Sequence, residues 1–218
     1  MMVSAENDPR RAGVIWALNL DEPAPVIAPR IPAAFRRIVA DSVPALVEAM
    51  GGGGDASVEM LKRFETGRRC YTAWVGDKLA AYGWVSFNEE YIGELNLRLR
   101  LLPGEAYIWD CVTLPAFRQN YLYSALLVYI LAELRSEKLC RVWIGADLEN
   151  VASQRGIARA GFRAVADLLI ARVLALRSVW VQARPNVPDS LVAEARRAFL
   201  NNRDKVWLAA VEEVRNSD

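Results

Sequence analysis

The chain has 218 residues, a net charge of +1 and 53% hydrophobic residues, which is enough to bury the core of one full domain. The balanced charge, and the lack of a basic run interleaved with aromatic residues, argue against a nucleic-acid partner. Histidine is absent, which excludes Ser-His-Asp catalysis, Cys-His catalysis and histidine zinc sites. We expect no bound metal.

The cysteines and the N-terminus indicate the compartment. Cys70, Cys111 and Cys140 lack CxxC spacing, so we expect free thiols in a reducing environment. The N-terminal residues 1–11 lack the apolar core of a signal peptide, and no apolar run reaches the ~18 residues that span a bilayer. The sequence therefore predicts a cytoplasmic protein without a membrane partner.

The first third of the chain alternates between polar segments and short amphipathic elements. Residues 1–30 are polar and then rich in proline, which predicts a mobile arm or an edge segment. Residues 34–40 form a predicted strand, and 41–50 a predicted helix with Pro44 in its first turn. Four glycines at 51–54 predict a flexible joint before a second helix over 55–66.

The middle of the chain is predicted to be mostly strands. Residues 72–76 and 80–87 flank the turn Asp77-Lys78, which indicates a hairpin. Leucines alternate with polar residues over 95–101, which is typical of a half-buried strand. Another apolar, β-branched and aromatic run over 106–113 predicts the next strand.

The stretch 114–162 predicts a loop, a helix, a strand and a helix. The loop 114–123 is followed by helical apolar spacing over 124–138, a strand over 140–146 and a short helix over 150–162. A helix that begins after a loop presents unpaired N–H groups and the positive end of its dipole, which favours a phosphate.

The last fifty residues continue this pattern. Residues 168–182 predict one or two strands, and 188–200 and 203–214 predict amphipathic helices. Three roles stay open for these helices: capping the sheet, forming the contact of a homodimer, or shaping a substrate site. We expect an N-terminal arm (1–30), a domain (31–182) and a C-terminal helical extension (183–218).

Two motifs resemble those of the GNAT acyltransferase superfamily. In that family a strand precedes Pro-x-x-Arg, the pattern Arg-x-x-Gly-x-Gly and a leucine-rich helix, and Pro115 and Arg118 are in register with it. A later family pattern, Asn-x-x-Ala followed by Leu-Gly-Phe, matches Asn150, Ser153 and 160–162. The loop differs from the family because the glycine positions hold Tyr121 and Tyr123. Their rings either face solvent and the core or obstruct the site.

The resemblance implies a fold, a reaction and a site. The fold is α/β, with a mixed, mostly antiparallel central sheet flanked by helices. The reaction is acyl transfer from acetyl-CoA or another acyl-CoA cosubstrate to a small-molecule or peptide amine, in the first place N-acetyl transfer. The residues implied to bind coenzyme A are Cys111, Val112, Thr113, Arg118, Gln119, Asn120, Tyr121, Leu122, Tyr123, Ser124, Asn150 and Ser153.

The catalytic groups are less well specified. Asp110 lies where some family members carry an acidic residue facing the acceptor, and a carboxylate there can attract an amine and relay its proton through water. Glu105 is the next candidate, and Glu89, Glu90 and Glu94 are further ones; alternatively, Asp110 caps a turn or pairs with an arginine such as Arg98 or Arg100. The usual tyrosine acid is replaced by Ile157, and the substitutes are Tyr107, Tyr121 and Tyr123.

Two alternatives to N-acetyl transfer remain. The tyrosines in the loop and Ile157 are compatible with a GNAT-fold binding or regulatory module that has no catalytic activity. The aromatic strands and C-terminal helices are compatible with an acyltransferase that uses a longer or carrier-bound acyl donor. Trp74, Trp84, Trp109 and Trp143 either line an apolar pocket or pack in the core.

Overall fold

The computed structural model describes residues 10–52, 54–93, 97–173 and 176–200. The strands are β1 (Arg10–Asn19), β2 (Ala34–Ile38), β3 (Arg69–Val75), β4 (Lys78–Ser86), β5 (Glu89–Ile92), β6 (Leu97–Arg100), β7 (Glu105–Thr113), β8 (Arg141–Asp147), β9 (Arg163–Val173) and β10 (Leu176–Ala183). The helices are α1 (Val43–Ala49), α2 (Gly54–Glu65), α3 (Leu122–Ser136), α4 (Val151–Arg159) and α5 (Asp189–Phe199).

Eight of these strands form one sheet in the order β10-β9-β1-β8-β7-β4-β3-β2, and β5 pairs with β6 in a separate hairpin. Neighbouring strands are antiparallel except β7 and β8, which run parallel. The predicted fold, a mixed and mostly antiparallel sheet flanked by helices, is confirmed.

Strand β1 is the main difference from the sequence prediction. Residues 10–19 are neither an arm nor an edge segment, because β1 lies inside the sheet between β8 and β9. Val14 and Ile15 are fully buried. An interior strand that is covered on both faces needs a nearly continuous apolar run, and residues 14–18 provide it. The predicted domain boundaries as such are untested and stay predictions.

Other predicted elements agree with the structure within a few residues. The hairpin around Asp77-Lys78 is β3 and β4, and residues 163–183 form the two strands β9 and β10. The helix predicted over 188–200 is α5. The helix predicted over 203–214 and part of the strand predicted over 95–101 lie outside the described residues.

Helices cover both faces of the sheet. On one face, α3 packs over β3, β4 and β7 and buries Leu126 and Leu127. On the other face, α1 and α2 pack over β3 and β4, while α5 and the β5–β6 hairpin pack over β1, β7, β8 and β9. Trp109 contacts both of these opposite-face clusters, so it marks the boundary between them.

Candidate active site

Strands β7 and β8 run side by side for a short distance and then diverge. Their pairing extends from Glu105–Arg141 to Ile108–Ile144. Beyond that point β7 continues beside β4, and β8 continues beside β1. The facing edges no longer bond to each other, which leaves backbone N–H and C=O groups available to a molecule between them.

A β-bulge lies on β7 where the strands diverge. The pairing with β4 shifts by one residue, so Gly83 lies opposite both Asp110 and Cys111. Asp110 has a φ of +43°, which costs on the order of 1 kcal/mol for a residue other than glycine. A Cβ on residue 83 would lie 2.7 Å from the Cys111 Sγ, so the bulge requires glycine there.

Two cavities meet at this opening. The α4 cavity, about 920 Å³, lies between the end of β7, the loop before α3, and α4. The α5 cavity, about 520 Å³, lies between the diverging strands, α2, β5 and α5. The described residues that line both cavities, called the junction below, are Cys111, Tyr123, Asn150 and Ser153.

The α4 cavity is strongly basic. Four arginines line it, and none of the described residues on its wall is a carboxylate. These arginines form no ion pair with any described residue, so their charges are free for an anionic ligand. The four are Arg30, Arg118, Arg155 and Arg159.

Tyr121 holds two of these arginines together. The guanidinium groups of Arg30 and Arg159 both lie over its ring, 4.4 and 4.3 Å from the ring centroid. Arg30 also donates a hydrogen bond of 2.9 Å to the Tyr121 hydroxyl. Tyr121 has a φ of +59°, so it keeps the left-handed backbone that glycine would give this loop. The stack fixes two positive charges beside the cavity.

Tyr123 points the other way, into the junction. Its hydroxyl lies 3.2 Å from the Ser153 Oγ. Its ring packs so closely on α4 that a Cβ on residue 156 would lie 2.4 Å from it, and residue 156 is glycine. Burial, with the nearby Cys111, raises the pKa of the Tyr123 hydroxyl. The hydroxyl therefore stays protonated at neutral pH and can donate a hydrogen bond.

Cys111 is a poor nucleophile in this setting. Burial first, and Asp110 second, raise the pKa of its thiol. Because the thiolate is the reactive form, the raised pKa keeps Cys111 as an unreactive thiol on the junction wall. Asn150 has a structural role. Its side-chain oxygen accepts a hydrogen bond of 3.0 Å from the backbone N–H of Ser153 and so caps the N-terminus of α4.

Asp110 forms an ion pair on the wall of the α5 cavity. Its carboxylate accepts from the Arg63 guanidinium at 2.5 Å. Arg63 comes from α2 and lies over the rings of Trp84 (5.1 Å) and Trp109 (4.6 Å). Pairing with an arginine is one of the structural alternatives given for Asp110, and the partner is Arg63 rather than Arg98 or Arg100.

The other candidate bases are occupied or remote. Glu90 lines the α5 cavity but is held by Arg68 and Ser86; burial alone would raise its pKa, yet these hydrogen bonds lower it. Glu105 lies at the far end of β7, where Arg197 binds both of its oxygens. Glu89 pairs with Arg98, and Glu94 lies outside the described residues.

The structure groups the predicted residues by cavity. All the predicted coenzyme-binding residues except Asn120 line the α4 cavity, while Asp110 and Tyr107 line the α5 cavity. Asn120 instead accepts from the Arg30 N–H through its carbonyl and donates to Phe117 and Arg118. Ile157 is fully buried. Of Trp74, Trp84, Trp109 and Trp143, only Trp109 is among the described residues that line a cavity, and Trp84 and Trp143 are fully buried in the core.

Several lining residues were not predicted. Arg155 and Arg159 are one helical turn apart on α4, a spacing that the sequence does show. Arg63, Leu168 and Phe199 come from elements distant in sequence, and no local pattern brings them together.

The described residues contain neither a membrane-spanning helix nor a cluster of metal ligands. No helix among the described residues is long and apolar enough to cross a membrane. In the same part of the chain, no group of three or more Cys, Asp or Glu side chains is placed to hold a metal ion.

Comparison with protein families gives a match to an acetyltransferase family. The model of the acetyltransferase (GNAT) family matches residues 46–162, which is more than half of the chain. The matched region contains the bulge, α4 and the loop that precedes α3, but not β1, β9, β10 or α5. A search of curated proteins found no significant match.

Solved structures with the same fold share little sequence with the chain. An acetyltransferase from the GNAT family of Colwellia psychrerythraea is 15% identical, with a TM-score of 0.55 over 82% of this chain and 58% of its own. A GCN5-related N-acetyltransferase from Sphaerobacter thermophilus is 18% identical, with a TM-score of 0.51 over 72% of this chain and 50% of its own. The chain thus spans 50–58% of these two structures, and the likeness shows the fold alone.

Proposed function

The chain belongs to the acetyltransferase (GNAT) family, and from this premise we propose that it transfers an acyl group from an acyl-CoA thioester to an amine. The observation that carries the proposal is the meeting of a basic cavity with a second, chemically different cavity at the point where β7 and β8 diverge. Acetyl-CoA is the first donor to test.

The α4 cavity suits the coenzyme. Coenzyme A carries a diphosphate and a further phosphate on its ribose, and the cavity offers four unpaired arginines and no carboxylate among its described residues. Guanidinium groups bind phosphate oxygens through parallel hydrogen bonds. The first N–H groups of α3 have no acceptor within the helix and add to the site. A carrier-bound donor brings a single phosphate, which would leave most of these arginines unused.

The diverging strands suit the thioester. The backbone groups of β7 from Cys111 to Thr113 border the α4 cavity and can bond to the pantetheine arm and polarise the carbonyl. The amine enters from the α5 cavity on the other side. The amine nitrogen forms a bond to the carbonyl carbon of the thioester, and the bond between that carbon and the sulfur breaks. The nitrogen loses one proton and the departing sulfur gains one, so the products are an amide and the free thiol of coenzyme A.

We assign Tyr123 as the group that donates to the sulfur atom as it leaves the thioester. It is the described tyrosine that lines both cavities, so its hydroxyl can donate to the thiolate that develops between them. Burial raises its pKa, which keeps the hydroxyl protonated but also makes it a weaker acid. Tyr107 lines only the α5 cavity, and Tyr121 is occupied by Arg30 and Arg159. Asp110 would attract the amine and relay its proton through water.

Transfer is expected to be direct rather than through an acyl-cysteine. Cys111 lies at the junction, but its raised pKa keeps the thiol protonated. Both substrates must then be bound together, which the two connected cavities allow. Cys111→Ser should therefore retain acyl transfer.

A binding module without catalytic activity remains the second candidate, and the buried Ile157 in place of the usual tyrosine favours it. The test has two steps. Calorimetry first measures the affinity of coenzyme A and acetyl-CoA; release of free thiol is then followed with a panel of amines. Micromolar binding with thiol release supports the acyltransferase, and binding without release from any amine supports the module. No binding of either compound would refute both the coenzyme A-dependent acyltransferase and a module that binds coenzyme A, and would favour a carrier-bound donor or a regulatory module without this ligand.

Other expectations remain predictions. These are the cytoplasmic location, the homodimer, the lack of nucleic-acid and membrane partners, and the small-molecule or peptide nature of the acceptor.

A further inference from the structure

Helix α5 contributes directly to the wall of the α5 cavity. Phe199, its last residue, is fully buried and lines that cavity together with Leu168 of β9 and Tyr107 of β7. Its ring centroid lies 6.0 Å from those of Tyr107 and Trp143, in edge-on contacts. Neither Phe199 nor Leu168 lies within the residues matched by the family model.

A buried ion pair fixes the position of α5. Arg197 donates to both oxygens of Glu105, at 2.7 and 2.8 Å, and Glu105 is 4% exposed. Glu105 and Tyr107 are two residues apart on β7 and therefore point to the same face. Arg197 meets Glu105, and Phe199, two residues further along, meets Tyr107. The ion pair and the aromatic contact thus place Phe199 against the strand that carries the bulge.

The two sides of the α5 cavity differ in polarity. Asp110 and Arg63 provide charge near the bulge, whereas the wall contributed by α5 and β9 is apolar. A molecule that fits both sides has a cationic or neutral amine joined to an apolar group. Phe199 and Leu168 are the residues of α5 and β9 that such an apolar group would meet.

We propose that Phe199 sets the size of the apolar group on the acceptor amine. This inference rests on the proposed function, because it concerns the acceptor of that reaction. It assigns to the C-terminal helix a role in substrate selection, in addition to covering the sheet.

The test uses probes that need no knowledge of the natural acceptor. Coenzyme A is joined through an acetyl group to methylamine, butylamine or octylamine, and calorimetry measures the affinity of each for the full chain. In the unmodified protein, the butyl probe should bind best and the octyl probe more weakly. In Phe199→Leu, the octyl probe should gain roughly tenfold in affinity, the scale on which one or two methylene groups act in an apolar pocket. In Phe199→Trp, the optimum should move to the methyl probe.

Controls separate this inference from the proposed function. Affinity for coenzyme A itself should be unchanged in both variants, which also shows that they are folded. Phe162→Leu makes the same change in the other core, away from the described cavity walls, and should keep the original order of probes. Leu168→Ala, on the same wall as Phe199, should also favour the octyl probe.

Two results would overturn the inference. If the order of probes is the same in all Phe199 variants, Phe199 does not limit the acceptor, while the proposed function stands. If coenzyme A does not bind the unmodified protein at all, the proposed function is wrong and this inference falls with it.

Discussion

The two cavities on either side of the diverging strands are built differently and have different charges. The α4 cavity comes almost wholly from one continuous stretch, 111–159, with Arg30 added, and its arginines have no acidic partner among the described residues. The α5 cavity is assembled from β1, α2, β5, β9 and α5, and its arginine, Arg63, is already paired with Asp110. An uncompensated basic cavity is suited to a highly charged anion, whereas the α5 wall carries the carboxylates of Glu90, Asp110 and Asp147 beside Arg63, which suits a cationic or neutral amine. The comparison therefore assigns the nucleotide to the α4 side and the amine to the α5 side.

The largest effect is expected where the two cavities join. Tyr123→Phe should lower kcat by roughly 100- to 10,000-fold, the usual contribution of a positioned proton donor, and leave coenzyme A affinity nearly unchanged. Steady-state kinetics and calorimetry measure the two quantities. Tyr107→Phe is the matched comparison, and a larger loss of kcat in that variant would transfer the role to Tyr107.

The pH dependence of kcat tests the same assignment of Tyr123 as the donor. A donor must be protonated, and the pKa of Tyr123 is raised, so ionisation of this residue should begin to lower kcat only above the usual tyrosine pKa of about 10. A fall in kcat between pH 8 and about 10 would mean that another group donates the proton.

On the amine side, Asp110→Asn should lower turnover by roughly 10- to 100-fold if the carboxylate relays the amine proton. Coenzyme A affinity should not change, because Asp110 lines the α5 cavity and not the α4 cavity. Arg63→Gln is the matched variant, because it removes the ion-pair partner of Asp110 and keeps the Asp110 carboxylate. Unchanged turnover in Asp110→Asn would leave the residue with only a structural role in the bulge.

On the donor side, Arg118→Ala should weaken coenzyme A binding by about 1.5–3 kcal/mol, the cost of losing a charged hydrogen bond. Calorimetry at constant ionic strength measures it. Arg98→Ala removes an exposed arginine outside both cavities and should have no effect. Equal affinity of the unmodified protein and Arg118→Ala would place Arg118 outside the phosphate site.

Much of the fold was predictable because it follows local patterns. Alternating and helical spacing identified most of the elements between 34 and 162 close to their observed bounds, and the resemblance supplied their arrangement. Strand β1 was missed because arginines and prolines flank the apolar run 14–18, and a run buried on both faces has no alternation to detect.

The candidate site was predictable on one side only. The α4 cavity is nearly continuous in sequence, so a motif could locate it. Arg63, Leu168 and Phe199 reach the α5 cavity through tertiary packing, which no spacing along the chain encodes. The orientations of the Tyr121 and Tyr123 side chains also depend on residues distant in sequence. Arg30 contacts Tyr121, whereas Gly156 and Ser153 contact Tyr123.

The smallest effect tests whether Tyr121 helps or obstructs the donor. If it obstructs, Tyr121→Gly should strengthen coenzyme A binding, because the loop regains the glycine typical of such sites. The observed stack argues for the opposite, since losing the ring releases Arg30 and Arg159 and costs about 1 kcal/mol of cation–π energy that now holds them in place. Calorimetry should therefore show a several-fold weaker complex. Tyr121→Phe keeps the ring and removes only the hydroxyl that accepts from Arg30, so it should fall between the two. Tighter binding in Tyr121→Gly would mean that the two arginines reach the phosphates better without the ring, and that the tyrosine limits access to the basic cavity.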